Sequence, residues 1–196
     1  MSARHYRAGG GWRRTALLVL IAAAALAPGT VGREPMPPDE PRFAVVGMEM
    51  YRSGDWVLPS RFGEPYLDKP PLLFWCEAAL FHVAGGRSAA AARLAPLLAT
   101  LALVAVTHRA GRRWIGDPAA TAGTLIFSSS MLVLLQGSWL TVDPLLALGA
   151  WGAIYAGSRA EESASWRAAF RVSLSGKRRP PLRMTSRAFS GSPVSL

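Results

Sequence analysis

Residues 88–108 read SAAAARLAPLLATLALVAVTH, and this stretch decides the fold of the chain. It contains one charged residue, Arg93, and is long enough to cross a lipid bilayer as a helix. Three arginines follow it within residues 109–113. A long apolar helix that ends in clustered arginines is typical of a transmembrane span that ends in the cytoplasm. The stretch therefore predicts an integral membrane protein built from helices.

Three further apolar segments lie on either side of this one, at residues 15–32, 118–136 and 143–158. The first has an alternative interpretation as a signal peptide, because Ala25-Leu26-Ala27 resembles a cleavage site. Cleavage there is disfavoured, because Pro28 would stand directly after the cleaved bond. The later apolar segments also favour a transmembrane span over a signal peptide. Together with 88–109, the pattern predicts about four crossings and an all-α membrane protein.

The charges indicate how these spans are oriented. The 196 residues are 51% hydrophobic and carry a net charge of +10, but residues 1–14 hold four arginines and no acid. Residues 33–87 hold six basic and eight acidic residues. Because basic loops stay inside, this charge pattern predicts a multi-pass protein of the inner (plasma) membrane, with a cytoplasmic N-terminus at 1–14 and an outer loop at 33–87.

The end of the chain differs in kind. Residues 163–196 hold seven Lys/Arg and no acid, and they are rich in Ser and Pro. This composition predicts a disordered basic tail over 161–196, and the abrupt change admits a shifted reading frame as an explanation. Such a tail suits loose attachment to anionic lipid, whereas its few aromatic residues argue against nucleic acid as a partner. The single cysteine, Cys76, excludes a disulfide framework.

Two amphipathic surface helices are expected in the outer loop. Residues 39–53 place Phe43, Val46 and Met50 on one face, and Ser53-Gly54 ends the pattern. Such a helix suits a position flat on the membrane. Residues 69–86 form the second, with prolines in the first turn and Gly-Gly after the end.

Acids and a lysine in this loop admit two interpretations. Asp39 caps the first helix and Glu40 complements its dipole, or both belong to a site. Lys69 is the only lysine in residues 1–176, and it stands where a helix begins. A compact cation beside free backbone N–H groups suits a bound phosphate, whereas the alternative is a lysine that reaches the interface from an apolar surface.

The ordered set of motifs resembles the N-terminal part of the GT-C membrane glycosyltransferases, in the group of the aminoarabinose–lipid A transferases and protein O-mannosyltransferases. The motifs that carry the resemblance are DEPR, SGDW, YLDKPP, RL and TVD, and the resemblance as a whole covers roughly residues 13–160. The resemblance implies the N-terminal part of a GT-C transmembrane domain at 15–160, which moves a sugar from a polyprenyl-phosphate donor to an acceptor on the outer face.

The same resemblance implies roles for seven residues. Asp39 matches the general base or acceptor-binding carboxylate, with Glu40 beside it, and Asp143 matches the acid of the second outer loop. The expected donor-phosphate-binding residues are Arg42, Tyr66, Asp68 and Lys69. The scheme requires no metal and no cofactor, since the carboxylate positions the acceptor and the cations stabilise the leaving phosphate.

The partners implied are the polyprenyl-phosphate sugar donor, a glycolipid or protein acceptor, and membrane lipids. Members of the family run to several hundred residues, so the chain is expected to be a truncated fragment that is inactive alone. The alternative is a small non-catalytic membrane protein or assembly partner, in which Asp39 and Lys69 tolerate substitution.

Overall fold

The computed structural model describes residues 11–31, 33–86 and 88–160. Its elements are α1 (Gly11–Thr30), α2 (Asp39–Ser53), β1 (Ser60–Arg61), β2 (Glu64–Pro65), α3 (Leu72–Val83), α4 (Ala89–Trp114), α5 (Asp117–Ser129), α6 (Met131–Ser138) and α7 (Asp143–Ala160). One compact unit ends at Ala156, and the last residues of α7 belong to a second unit. The predicted tail at 161–196 lies outside the described residues, as do the first ten residues of the predicted N-terminal segment.

The chain is an all-α membrane protein apart from one small hairpin. In the described part, α1 and α4 are long and apolar enough to cross a bilayer, and they coincide with the predicted spans 15–32 and 88–109. The predicted span 118–136 is two helices, α5 and α6, bent by 61° and together apolar enough for a third crossing. Helix α7, at the predicted fourth span, is not among these helices, so that span stays a prediction.

Serines explain why the third span is broken. The hydroxyls of Ser128, Ser129 and Ser130 donate to main-chain carbonyls three residues earlier, at 3.2, 3.2 and 2.8 Å. Such bonds compete with the helical hydrogen bonds and favour a bend. Ser130 has an extended backbone and separates the two helices. The hydropathy pattern alone did not reveal this break.

Helix α4 is the central element, and it contacts α1, α3, α5 and α6. On the α1 side, Leu18, Ala22 and Val104 form a buried cluster. Small residues such as Ala22 let two membrane helices approach closely. The helix that decides the fold in sequence therefore also organises it in space.

Helices α2 and α3 pack against each other beside α4. The predicted apolar face of α2 is real: Phe43, Val46 and Met50 are all buried. This face packs into a cluster with α3 rather than being left for lipid, because α3 contributes Phe74 and Phe81 to it. Gly54 ends α2 as predicted, with φ 70° and its N–H donating to the carbonyl of Met50.

One local prediction was wrong. Asp39 does not cap α2, because Pro38 occupies the position before the helix and no side chain caps it. Asp39 is instead the first helical residue, and its side chain turns to Arg42. Its carboxylate therefore accepts no capping hydrogen bond from the backbone N–H groups at the start of the helix.

Candidate functional site

The three predicted catalytic carboxylates line one pocket of about 200 Å³. Its walls are two chain segments, Met36–Glu40 at the start of α2 and the stretch from Gln136 to Asp143 between α6 and α7. Asp39 and Asp143 are more than a hundred positions apart in sequence and meet only here. The fold thus brings together acids that sequence spacing alone did not connect.

Glu40 is the best-connected of the three acids. Its side chain is buried, and Arg33 donates to both carboxylate oxygens at 2.7 and 2.9 Å. Arg93 also donates to both, at 3.0 and 3.1 Å. The backbone N–H groups of Met36 and Leu140 add bonds of 2.7 and 2.8 Å. This one carboxylate therefore connects α2 to three other parts of the chain: the segment before α2, helix α4, and the segment between α6 and α7.

This environment decides the ionisation of Glu40. Burial raises its pKa, but the hydrogen bonds from Arg93, Arg33 and the amides of Met36 and Leu140 outweigh burial and lower the pKa to about 2. A carboxylate held so firmly as an anion is a weak base at neutral pH. The contacts favour a positioning role, and a part for Glu40 in the chemical step stays a prediction.

The two arginines of this network are absent from the predicted site. Arg93 is 2% exposed and also donates to the carbonyls of Arg33 and Glu34, at 3.0 and 3.2 Å. Arg33 donates to the carbonyls of Gly29 and Ser138, at 2.8 and 3.2 Å. A lone arginine in an apolar segment requires a partner, which is the signal that could have pointed to Arg93.

Asp39 and Asp143 are the accessible acids of the pocket. The side chain of Asp39 is 57% exposed and pairs with Arg42 at 2.5 Å. Asp143 is exposed and accepts from Gln136 Nε2 at 3.0 Å and from Thr141 Oγ1 at 3.1 Å. Both residues are exposed and line the pocket, so both carboxylates are candidates to contact a bound hydroxyl or amine.

Arg42 and Tyr66 form the second part of the site. The hydroxyl of buried Tyr66 and Nε of Arg42 both lack a hydrogen-bond partner among the described residues. Burial raises the pKa of Tyr66, and the nearby charge of Arg42 opposes that effect while those of Asp68 and Asp39 add to it. These side chains are therefore electrostatic neighbours, and each has one buried donor atom without a partner in the described residues.

Asp68 and Lys69 lie in the segment between β2 and α3. Asp68 is exposed and Lys69 is half-buried, and neither forms an ion pair within residues 11–31, 33–86 and 88–160. Neither lines the carboxylate pocket. In the same residues, no cluster of three or more His, Cys, Asp or Glu side chains could hold a metal ion.

Comparisons with known proteins show which family the chain resembles. The profile of the dolichyl-phosphate-mannose-protein mannosyltransferase family matches residues 68–175. An undecaprenyl phosphate-alpha-4-amino-4-deoxy-L-arabinose arabinosyl transferase of Edwardsiella ictaluri is 32% identical over 70% of the chain, and one of Pseudomonas aeruginosa is 31% identical over 66%. The chain spans about a quarter of the length of each, 24% and 25%.

Solved structures give the same relationship in three dimensions. The crystal structure of ArnT from Cupriavidus metallidurans bound to undecaprenyl phosphate matches 76% of the chain, with a TM-score of 0.66 and 30% identity. Its apo form matches 72%, with a TM-score of 0.63. The chain covers 27% and 26% of those proteins. By sequence profile and by fold, the chain belongs to the dolichyl-phosphate-mannose-protein mannosyltransferase family of GT-C membrane glycosyltransferases.

Proposed function

We propose that this chain carries the acceptor-positioning and phosphate-binding part of a glycosyltransferase that uses a polyprenyl-phosphate sugar donor. The observation that carries the proposal is the shared pocket of Asp39 and Asp143, with the unpaired donors of Arg42 and Tyr66 beside Asp39. The relatives named above are arabinosyl transferases of an undecaprenyl-phosphate sugar, which supports the same donor class here.

The chemistry follows from these positions. An acceptor oxygen attacks the anomeric carbon, and the bond from that carbon to the phosphate oxygen breaks. Asp39 orients the acceptor and, for a hydroxyl, takes its proton, while Asp143 holds the acceptor from the opposite wall. The polyprenyl phosphate leaves with the electron pair, and Arg42, Tyr66 and Lys69 stabilise the charge that it gains. The negative charge of Asp68 acts on Tyr66, whose pKa it helps to raise.

The acceptor is proposed to be a glycolipid such as lipid A or a protein. The site is proposed to lie at the outer face of the inner membrane, with the N-terminus in the cytoplasm, because the arginine clusters of residues 1–14 and 109–113 belong inside. The polyprenyl chain then rests among membrane lipids while its phosphate reaches α2 and the turn before α3.

Undecaprenyl phosphate binding tests the phosphate half of the site. We expect Arg42→Ala and Lys69→Ala each to weaken binding to the purified chain in lipid nanodiscs by about tenfold, since each removes a charged hydrogen bond to phosphate. Native mass spectrometry or titration measures the affinity. Arg52→Ala is the matched control, because this exposed cation lies at the other end of α2. Equal affinities in all four proteins would contradict the assignment.

Membranes that carry only this chain, given an undecaprenyl-phosphate-linked sugar, measure how much of the reaction the 196 residues perform. We expect no transfer by this chain alone, and turnover would contradict that expectation. If turnover is found, its loss in Asp39→Asn, with intact undecaprenyl phosphate binding, would support Asp39 as the acceptor-positioning carboxylate.

The orientation has its own test. In a Cys76→Ser background, Arg52→Cys should react with a membrane-impermeant maleimide on intact cells, whereas Arg109→Cys should react only after permeabilisation. Both positions are exposed, so reagent access within the protein is matched. The reverse pattern would put the carboxylate pocket on the cytoplasmic side and contradict the proposed outer-face reaction.

A further inference from the structure

A short segment between α2 and α3 exposes an unusual amount of apolar surface. Residues 55–67, here named the tip hairpin, contain β1, β2 and their turn. Phe62, Val57 and Leu67 are 74%, 88% and 76% exposed. Trp56 and Leu58 are exposed too. Several large apolar side chains exposed within one short segment are typical of contact with a protein or a membrane rather than with water.

The turn is built to hold Phe62 outward. Phe62 has φ 56°, a left-handed conformation that residues with a side chain adopt at an energetic cost. Glu49 of α2 offsets that cost, because its carboxylate accepts from the N–H of Phe62 at 2.5 Å and of Gly63 at 3.3 Å. It also accepts from the hydroxyl of Ser60 at 2.7 Å. An aromatic ring is thus displayed at a fixed tip.

The surroundings of the ring match the water–lipid boundary. The guanidinium of Arg61 lies 5.3 Å from the centre of the Phe62 ring, so a cation accompanies the aromatic group. The hairpin base is fastened to α3, since Trp75 Nε1 donates to the carbonyl of Trp56 at 2.7 Å. Aromatic residues with an adjacent cation are the types enriched where proteins meet lipid headgroups.

The link to the membrane helices through α3 favours lipid as the occupant. In sequence, the segment from α2 to α3 lies between α1 and α4, both long and apolar enough to cross a bilayer. The hairpin contacts α2 and α3, and α3 packs directly on α4. The hairpin carries Asp55, Arg61 and Glu64, so it presents no cationic patch that would need an anionic partner. Asp55 is engaged by the N–H groups of Val57 and Leu58, at 2.9 and 3.1 Å.

We propose that the tip hairpin inserts Phe62 and its apolar neighbours into the headgroup region of the membrane that α1 and α4 cross. It thereby anchors the α2–α3 pair to the lipid surface, a lipid contact that is separate from sugar transfer. Glu49 acts as the positioning residue of this anchor, because it holds the turn that presents the ring.

Spin-label depth measurements on the full chain in lipid nanodiscs test the insertion. In a Cys76→Ser background, Phe62→Cys is labelled and compared with Leu20→Cys, on an exposed part of α1, and with Arg52→Cys. We expect the label at 62 to resemble that at 20, with high accessibility to oxygen and low accessibility to a water-soluble nickel chelate. Nickel accessibility equal to that at 52 would overturn the proposal, and protection from both reagents would indicate a protein contact and also overturn it.

A second measurement keeps the native ring. A label at Leu67→Cys reports the depth of the hairpin with Phe62 present and after Phe62→Ser. We expect the inserted-to-withdrawn ratio to fall by about tenfold when the ring is removed. Glu49→Gln should shift the label in the same direction, while the far-ultraviolet circular dichroism stays unchanged. An unaltered depth in both variants would contradict the anchor.

Discussion

Arg93→Met is expected to lower the free energy of unfolding by about 3–5 kcal/mol, which is the cost of removing one partner from a buried ion pair. Arg93 is 2% exposed and shares both oxygens of Glu40. Without it, part of the negative charge of Glu40 stays buried without compensation. Unfolding by sodium dodecyl sulfate in mixed micelles, followed by circular dichroism, measures the loss.

The matched control is Arg61→Met, because Arg61 is exposed and joins no ion pair in the described part of the chain. It should change stability by less than about 0.5 kcal/mol. Arg93→Lys should not restore the wild-type value, since an ammonium group cannot bond both carboxylate oxygens in the forked geometry of a guanidinium. Similar losses in Arg93→Met and Arg61→Met would contradict the network.

Acid provides an independent check of the same network. The pKa of Glu40 falls from 4.5 to about 2 in the folded chain, so the unfolded chain binds the proton first as the pH drops. The stability from Glu40 is therefore present above pH 4.5 and is lost as the pH falls towards 2, by about 3 kcal/mol in total. Glu40→Gln should lack this part of the acid dependence.

Glu77→Met is expected to raise the free energy of unfolding at neutral pH by about 1–3 kcal/mol, the cost of an unsatisfied buried polar group. Glu77 is 0% exposed, and neither carboxylate oxygen has a partner in the described part of the chain. It fits because Gly47 of α2 has no Cβ, which would come within 2.5 Å of the carboxylate. Methionine has a similar shape and no polar group to desolvate.

The pH dependence has a definite sign. Burial raises the pKa of Glu77 well above 4.5, so the folded chain keeps a proton that the unfolded chain has released. Stability from this group is complete below pH 4.5 and falls as the pH rises through the raised pKa. Guanidinium unfolding at a series of pH values should show this decline in the wild type and not in Glu77→Met. Glu64→Met, at an exposed position, is the control, and a decline that persists in Glu77→Met would exclude Glu77 as its cause.

Local patterns predicted much of this fold. The apolar run of α4, the amphipathic face of α2 and the glycine that ends α2 were all visible in the sequence, because each depends on residues within a few positions. The family motifs also identified Asp39 and Asp143, which line the pocket. The tip hairpin escaped, since its turn is held by Glu49 from another helix and Phe62 stands where glycine would be expected.

The sequence by itself therefore determined that the chain is a helical membrane protein of the GT-C class, with acids and cations in its longest loop. Only the tertiary structure decided what those charges do. It pairs Glu40 with Arg93 and with the N–H of Leu140, across 53 and 100 positions, and leaves Asp39 open to the pocket. The physical reason is that helix formation depends on near neighbours, whereas a buried charge finds its partner only after the helices have packed.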